Sequence, residues 1–270
     1  MRKSKLFLST LSFLILNTLS AQQNDWWPLG DGNAIGFISG NPVLSTCAIS
    51  DLSNGTSSVS SSSGTLIMYS DGLRVFKPNH SVMPDQNNSI NYQILSAAQA
   101  GREVIFVPRP ATSQYYVFST RENNTDQIKY AVVDLGINNG QVISVNNALP
   151  GSSSATSGFA SEVRAVKHCN GTDYWLIAHE KGNNKFRTYL ITSSGIGNPN
   201  VQTIGSSSGN IYAQMGVSND GKTIALNDVV SGVKAVQLFD FSPSSGYLNY
   251  LYEVSTPTSG FIGGCAFTPN

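Results

Sequence analysis

The stretch VRAVKHCNGTDYWLIAHEKGNNKFRTYLIT, residues 163–192, decides the fold, because it predicts three short strands joined by two tight turns. Val163–His168 and Tyr174–His179 are largely apolar runs. Asn170-Gly171 between them is typical of a β-hairpin, since both residues tolerate the positive φ that a type I′ turn requires. A second turn, containing Gly182, leads into a third predicted strand over Lys185–Thr192. We therefore expect an antiparallel sheet in this stretch.

The same unit recurs along the chain with a period close to 50 residues. Two sets of apolar positions repeat in register, one in the predicted first strands (Ile49, Val107, Val166, Val217, Phe267) and one in the third strands (Phe76, Val133, Ile191, Phe239). Such a period is typical of propeller blades, each of which needs neighbours to cover its faces. We predict an all-β propeller of about four four-stranded antiparallel blades plus the start of a fifth, forming an incomplete ring. An antiparallel sandwich, which also shows regularly spaced turns, is the alternative.

The N-terminus predicts a secretory signal peptide over residues 1–21, followed by the propeller domain over residues 22–270. Arg2, Lys3 and Lys5 form a basic start, and Leu6–Leu16 forms an apolar core that is too short to span a membrane. No later stretch is apolar enough to span a bilayer. We therefore expect an exported protein, either secreted or at the cell surface, with no membrane span after signal removal.

The composition excludes some classes of partner. Lys and Arg number 16 and Asp and Glu number 16, so the chain lacks the basic excess of a nucleic-acid-binding protein. Cys47, Cys169 and Cys265 lack metal-ligand spacing; they allow one disulfide at most, and we expect them instead to be small buried residues. The run Leu52–Gly64 is almost entirely Ser, Thr, Gly and Asn, which predicts a mobile surface loop.

Few residues suggest chemistry. His168 and His179 flank one predicted hairpin with Glu180 adjacent, and two histidines with a carboxylate can bind zinc. Because the sequence offers no obvious further ligand, we predict no metal site and retain these three, with Asp173 and Trp175, as candidate binding residues. No G-x-S-x-G nucleophile motif or phosphate-binding glycine loop occurs, so we predict no catalytic residues and no cofactor.

Several short motifs follow one another along the chain. They are Trp26–Gly30, Asp71-Gly72 before Val75-Phe76, Asn79-His80 with Met83-Pro84, Val107-Pro108 before Tyr115-Tyr116, Ala165-Val166 through Asp173-Tyr174-Trp175 to His179-Glu180, and Ser218-Asn219-Asp220-Gly221-Lys222. Together they resemble the N-terminal β-propeller of large exported Bacteroidetes proteins of the gliding-motility-associated, type IX secretion kind. The hairpin at residues 218–225 is also similar to that of YVTN and TolB-like propellers.

The resemblance implies a non-enzymatic module for binding, adhesion or display at the bacterial cell surface. Its ligand would be a carbohydrate or a protein. Because the sequence stops at Asn270, within a predicted first strand, we expect it to be a C-terminally truncated part of a larger protein. The alternative functions are a propeller-fold hydrolase or lyase acting on polysaccharide, and a spacer without a ligand.

Overall fold

The structure is a computed structural model that describes residues 25–38, 40–50, 55–94, 103–120, 128–154, 158–207, 214–230, 233–255 and 265–268. The predicted signal peptide, residues 1–21, lies outside these ranges. Within them the chain forms five antiparallel sheets and one short 3-10 helix, Ser152–Ser154. No α-helix occurs among the described residues, as the prediction of an all-β protein requires.

The first two sheets have three strands each. Sheet 1 contains β1 (Trp26–Gly30), β2 (Asn33–Ile38) and β3 (Asn41–Thr46), and sheet 2 contains β4 (Ser57–Ser60), β5 (Leu66–Ser70) and β6 (Val75–Phe76). An isolated antiparallel bridge between Phe76 and Val82 continues sheet 2 beyond β6.

The remaining three sheets have four or five strands. Sheet 3 contains β7 (Val104–Pro108), β8 (Gln114–Ser119), β9 (Lys129–Asp134) and β10 (Gln141–Ala148). Sheet 4 contains β11 (Phe159–Lys167), β12 (Tyr174–Glu180), β13 (Lys185–Thr192), β14 (Gly195–Ile196) and β15 (Asn200–Thr203), the last two both pairing with β13. Sheet 5 contains β16 (Gln214–Val217), β17 (Thr223–Val230), β18 (Val233–Phe241) and β19 (Leu248–Ser255).

The first strands of consecutive sheets lie next to one another. Strand β1 contacts β4, β4 contacts β7, β7 contacts β11, and β11 contacts β16. Within each sheet the later strands follow in chain order away from the first. Five up-and-down sheets arranged around a shared row of first strands form a β-propeller, with the first strand of each blade innermost.

Among the described residues, the hydrophobic core is divided into four clusters, each between two consecutive sheets. Trp26 and Tyr69 pack between sheets 1 and 2, and Val59, Val117 and Val133 between sheets 2 and 3. The cluster between sheets 3 and 4 includes Tyr116, Phe118, Leu176, Tyr189 and Ile191. The cluster between sheets 4 and 5 includes Trp175, Ile177, Phe186, Ile224 and Phe239. Each sheet therefore depends on its neighbours for burial, as the repeat predicted.

Strand β12 shows how one strand serves two cores. Trp175 and Ile177 belong to the cluster with sheet 5, whereas Leu176 and Ala178 belong to the cluster with sheet 3. This division follows from the two-residue period of a strand, which sends successive side chains to opposite faces. Because both faces of β12 are covered, its sequence is a nearly continuous run of apolar residues and does not alternate between apolar and polar ones.

The predicted third-strand register is confirmed, but part of the first-strand register is wrong. Phe76, Val133, Ile191 and Phe239 all lie on the third strands of sheets 2 to 5 and are at most 2% exposed. Ile49 and Phe267, in contrast, lie outside any strand. Ile49 follows β3 and is buried between sheets 1 and 2. Sheet 1 is complete before Ile49, so the described part of the chain contains five sheets, two of which have three strands.

Two local predictions are also corrected. The Ser-rich run predicted as a mobile loop contains β4, whose residues Ser58, Val59 and Ser60 are buried. This strand is ordered by its pairing with β5 and by its contacts with β1 and β7 rather than by its own apolar area. Cys169, predicted to be buried, is exposed, because it lies in the turn between β11 and β12.

Candidate binding site

The candidate binding residues from the sequence lie at opposite ends of β12. The His168 backbone pairs with that of Asp173 at the turn before the strand, whereas His179 and Glu180 form its last two positions. At about 3.3 Å per residue, this separates the two histidines by roughly 20 Å. The structure therefore does not bring the five residues into one site.

At the turn, the polar candidates bind neighbouring backbone and side-chain groups. The Asn170 backbone N–H donates to His168 Nδ1 at 3.0 Å, and Asn170 Nδ2 donates to Asp173 Oδ2 at 2.7 Å. Trp175 is buried, and its Nε1–H donates to the Pro243 carbonyl of sheet 5 at 2.9 Å. These contacts fix the hairpin and attach it to the next sheet.

His179 faces sheet 5 from the far end of β12. It is 1% exposed and packs edge-on against Phe186 with 4.6 Å between ring centroids. Its Nδ1 has no hydrogen-bond partner within the described part of the chain. Burial lowers the pKa of His179 from 6.5 to about 4, so the imidazole is neutral at neutral pH.

Glu180 faces the opposite way, toward sheet 3, and forms a buried ion pair. Arg187 Nε donates to Glu180 Oε1 at 2.6 Å, and the two side chains are 4% and 1% exposed respectively. Asn183 Nδ2 donates to Glu180 Oε2 at 3.0 Å, and the guanidinium of Arg187 also donates to the Gly151 carbonyl at 3.1 Å. The carboxylate is therefore paired and hydrogen-bonded within the fold.

The ends of the strands define two rims. We call the proximal rim the one at which the first strand of each sheet begins and the second strand ends. Glu103 lies at this rim, immediately before β7; its Oε2 accepts from the Val163 backbone N–H at 2.8 Å and its Oε1 from the Arg164 guanidinium. This carboxylate joins the first strands of sheets 3 and 4.

A groove of about 300 Å³ opens at the proximal rim between β1 and β4. Its lining consists of Trp27, Pro28, Thr56, Ser57 and Ser58. Thr56 Oγ1 donates to the Pro28 carbonyl at 3.1 Å, and Ser58 Oγ donates to the Trp26 carbonyl. Side-chain hydrogen bonds thus hold the two first strands together where the groove opens.

Trp27 borders this groove, and its indole lies on the face of sheet 1 away from sheet 2. It is 50% exposed, and its indole packs edge-on against Phe37 with 4.7 Å between ring centroids. Its neighbour Trp26 points to the other face of sheet 1 and packs against Tyr69 at 4.8 Å. The Trp-Trp pair therefore places one ring in the core and the other at the surface.

The titration behaviour of the carboxylates bears on acid–base chemistry. The pKa of Asp134 is lowered by hydrogen bonds from Ser113 and Gln114, and that of Asp220 by hydrogen bonds from Ser218 and the Lys222 backbone. Across the described ranges, no group of three or more His, Cys, Asp or Glu residues is placed to hold a metal ion.

Comparison with known proteins adds distant structural likenesses only. No protein-family model and no curated protein matches the chain. Similar solved structures include a proposed 6-phosphogluconolactonase from Bacteroides uniformis, 12% identical with a TM-score of 0.43, over 83% of this chain and 64% of that one. TolB from Acinetobacter baumannii is 14% identical with a TM-score of 0.30, over 83% of this chain and 51% of that one. This chain thus spans less than two thirds of the length of either protein.

Sequence reasoning missed the groove because three of its five described lining residues lie in the Ser-rich run. Thr56, Ser57 and Ser58 lie in the run that the sequence predicts as a mobile loop. A detectable signal was present in Trp26–Gly30, since two adjacent aromatic residues on a strand point to opposite faces. One of the two tryptophan side chains must therefore point away from the core between sheets 1 and 2.

Proposed function

We propose that this chain is an exported, non-enzymatic β-propeller that binds a ligand at the bacterial cell surface as part of a larger type IX-secreted, gliding-motility-associated protein. The observation that carries the non-enzymatic part is the placement of His179 and Glu180. Both are buried, on opposite faces of β12, and neither reaches a solvent-filled site. The propeller then contributes rigid rims and inter-strand grooves, which suit recognition better than proton transfer.

Support for the exported location comes from the sequence of residues 1–21 and from the motif resemblance. Among the described residues, no helix has the length and apolarity needed to cross a membrane. Three free cysteines, one of them the exposed Cys169, are present in the described structure.

Export and surface display are tested together in a Bacteroidetes host. The chain is expressed with its natural N-terminus, and mass spectrometry identifies the N-terminus of the mature protein. Intact cells are then treated with a protease, in the wild type and in a strain lacking the type IX translocon. We expect cleavage near residue 21 and protease sensitivity that is lost in the mutant strain. An intact N-terminus with protection in both strains contradicts the proposal.

A further inference from the structure

We propose that this chain binds a second copy of itself head to tail, with sheet 1 of one copy packed on sheet 5 of the next. The surfaces involved are the outward face of sheet 1, which points away from sheet 2, and the outward face of sheet 5, which points away from sheet 4. This inference concerns assembly and goes beyond the proposed ligand binding and surface display.

Exposed apolar side chains are concentrated in these two terminal sheets. Of the twelve large apolar side chains that are exposed in the described structure, four lie on strands of sheet 1, four on strands of sheet 5 and one on a strand of sheet 4. Apolar exposure that is concentrated in this way marks an interaction surface, whereas single exposed apolar residues are ordinary. The eight are Trp27, Leu29, Val43 and Leu44 in sheet 1, and Tyr250, Leu251, Tyr252 and Val254 in sheet 5.

The outward face of sheet 1 is apolar across all three strands. Trp27 pairs with Ile35 and Ile35 with Leu44, on β1, β2 and β3 respectively. Phe37 lies two residues beyond Ile35 on the same face, with its ring centroid 4.7 Å from that of Trp27. Trp27 is 50% exposed and Leu44 is 77% exposed. None of these four side chains carries a charge, so covering them desolvates no ion.

The outward face of sheet 5 is open on its outer half. Leu238 pairs with Tyr252 and Val236 with Val254, which places four apolar or aromatic side chains on β18 and β19. They lie on the outward face because Phe239, the neighbour of Leu238, packs in the cluster with sheet 4. Tyr252 and Val254 are 55% and 51% exposed. This half of the sheet therefore offers a second apolar surface.

The inner half of the same face is covered by residues 265–268. The Cys265 thiol donates to the Ala225 carbonyl at 3.4 Å, and a Cβ added at Gly216 would lie 2.9 Å from the Cys265 carbonyl oxygen. Sheet 1 has three strands, one fewer than sheet 5. Sheet 1 of a second copy therefore fits the uncovered outer half, with β1 beside residues 265–268 and β3 over β19.

The interfaces within one copy show that faces of this type bind each other. Phe239 of sheet 5 is buried by sheet 4, and Trp26 of sheet 1 is buried by sheet 2. A second copy offers each outward face the same kind of partner, a twisted antiparallel sheet with an apolar surface. Since both outward faces are exposed, sheets 1 and 5 of one chain do not cover each other. The two surfaces differ, so the contact is heterologous and copies join into a ring or a filament.

Assembly is measured by analytical ultracentrifugation of the chain purified from the host used for the export test. We expect species of two or more copies at roughly 10 µM, a concentration at which an interface with a dissociation constant near 1 µM is largely formed. A protein that remains monomeric up to roughly 100 µM overturns the proposal.

Leu44→Asp and Tyr252→Asp each alter one of the two surfaces. Each should weaken association at least about tenfold, because the contact would bury a carboxylate without a partner. Both side chains are exposed in a single copy, so the urea unfolding midpoint should not change. Val201→Asp is the matched control, since Val201 is 49% exposed on β15 of sheet 4, which lies between sheets 3 and 5. It should leave association unchanged.

A mixture of the two variants distinguishes head-to-tail assembly from contact between like faces. Leu44→Asp keeps the outward face of sheet 5, and Tyr252→Asp keeps that of sheet 1. An equimolar mixture should therefore form a one-to-one dimer and nothing larger. A monomeric mixture, wild-type association in either single variant, or an equal loss in Val201→Asp overturns the proposal. A displayed but monomeric protein refutes this inference alone, whereas an intracellular protein that assembles through both faces refutes only surface display.

Discussion

At the scale of single residues, His179 shows why a histidine beside a glutamate in the sequence is weak grounds for a joint site. Consecutive strand residues face opposite ways, so His179 and Glu180 enter different cores. The two-residue period alone predicts this separation once the strand is recognised. The sequence does not reveal how completely each residue is buried, because burial depends on the sheets packed against both faces.

Burial of His179 predicts a pH-dependent stability. Its pKa in the folded protein is about 4, below its ordinary 6.5, so in this interval the unfolded chain binds a proton that the folded chain does not. The stabilisation is fully present above pH 6.5 and decreases as the pH falls toward 4, by roughly 3 kcal/mol in total. Urea unfolding at several pH values should show this slope in the wild type and a reduced slope in His179→Leu.

His168→Gln serves as the control for that measurement, because His168 lies at the turn before β12 and is only partly buried. It should keep the wild-type slope. An identical slope in His179→Leu and the wild type would show that other groups cause the acid sensitivity.

The ion pair between Glu180 and Arg187 predicts an asymmetric mutational effect. Arg187→Met leaves an uncompensated carboxylate buried between sheets 3 and 4, and should lower the free energy of unfolding by about 3–5 kcal/mol. The double variant with Glu180→Leu removes both charges and should recover most of this loss. Guanidinium unfolding provides the measurement.

Arg74→Met provides the comparison, since Arg74 is 44% exposed and pairs with Asp71 at 3.4 Å. It should cost at most about 1 kcal/mol. If the double variant at positions 180 and 187 is as unstable as Arg187→Met alone, unpaired charge is not the cause of the loss.

At the scale of elements, the sequence predicted strands well where they are apolar and poorly where they are small and polar. Strands β12 and β13 carry aliphatic and aromatic residues, and the sequence predicts both. Strand β4 is Ser-Ser-Val-Ser, and its burial comes from β1, β5 and β7 around it. Composition measures what a segment can bury by itself, so it cannot detect a strand whose order is provided by its neighbours.

The turn between β18 and β19 couples sheet 5 to sheet 4 and provides an element-scale prediction. Gly246 has a φ of 73°, and a Cβ at this position would approach the Trp175 ring to 2.6 Å. Its carbonyl accepts from Thr188 Oγ1 at 2.8 Å. Gly246→Ala should therefore destabilise the protein by roughly 2–4 kcal/mol, through backbone strain and displacement of a buried ring. Chemical denaturation followed by tryptophan fluorescence measures the change.

Gly171→Ala isolates the backbone contribution. Gly171 has a φ of 77°, close to that of Gly246, but a Cβ there would meet nothing within 4 Å. We expect a loss of about 1 kcal/mol. Equal losses at the two positions would mean that contact with Trp175 contributes nothing.

At the scale of the whole molecule, the division of the described core into four clusters predicts that a core mutation destabilises mainly the two sheets that it separates. Phe239 is fully buried between sheets 4 and 5, and Phe239→Ala should cost about 3–5 kcal/mol. In a stack in which each unit contacts only its neighbours, protection from hydrogen exchange should fall in β12, β13, β17 and β18 and remain unchanged in β4 and β5. A uniform loss over all five sheets would indicate a single cooperative unit instead.

The arrangement of β12 also limits where this architecture can evolve a new activity. A strand whose side chains are buried on both faces has none available to contact a ligand. Variation that improves recognition must therefore accumulate at the innermost strands and at the turns, while the middle of each sheet changes only in step with the sheet beside it. Selection for a different ligand would change residues in the turns and innermost strands long before it changed Leu176.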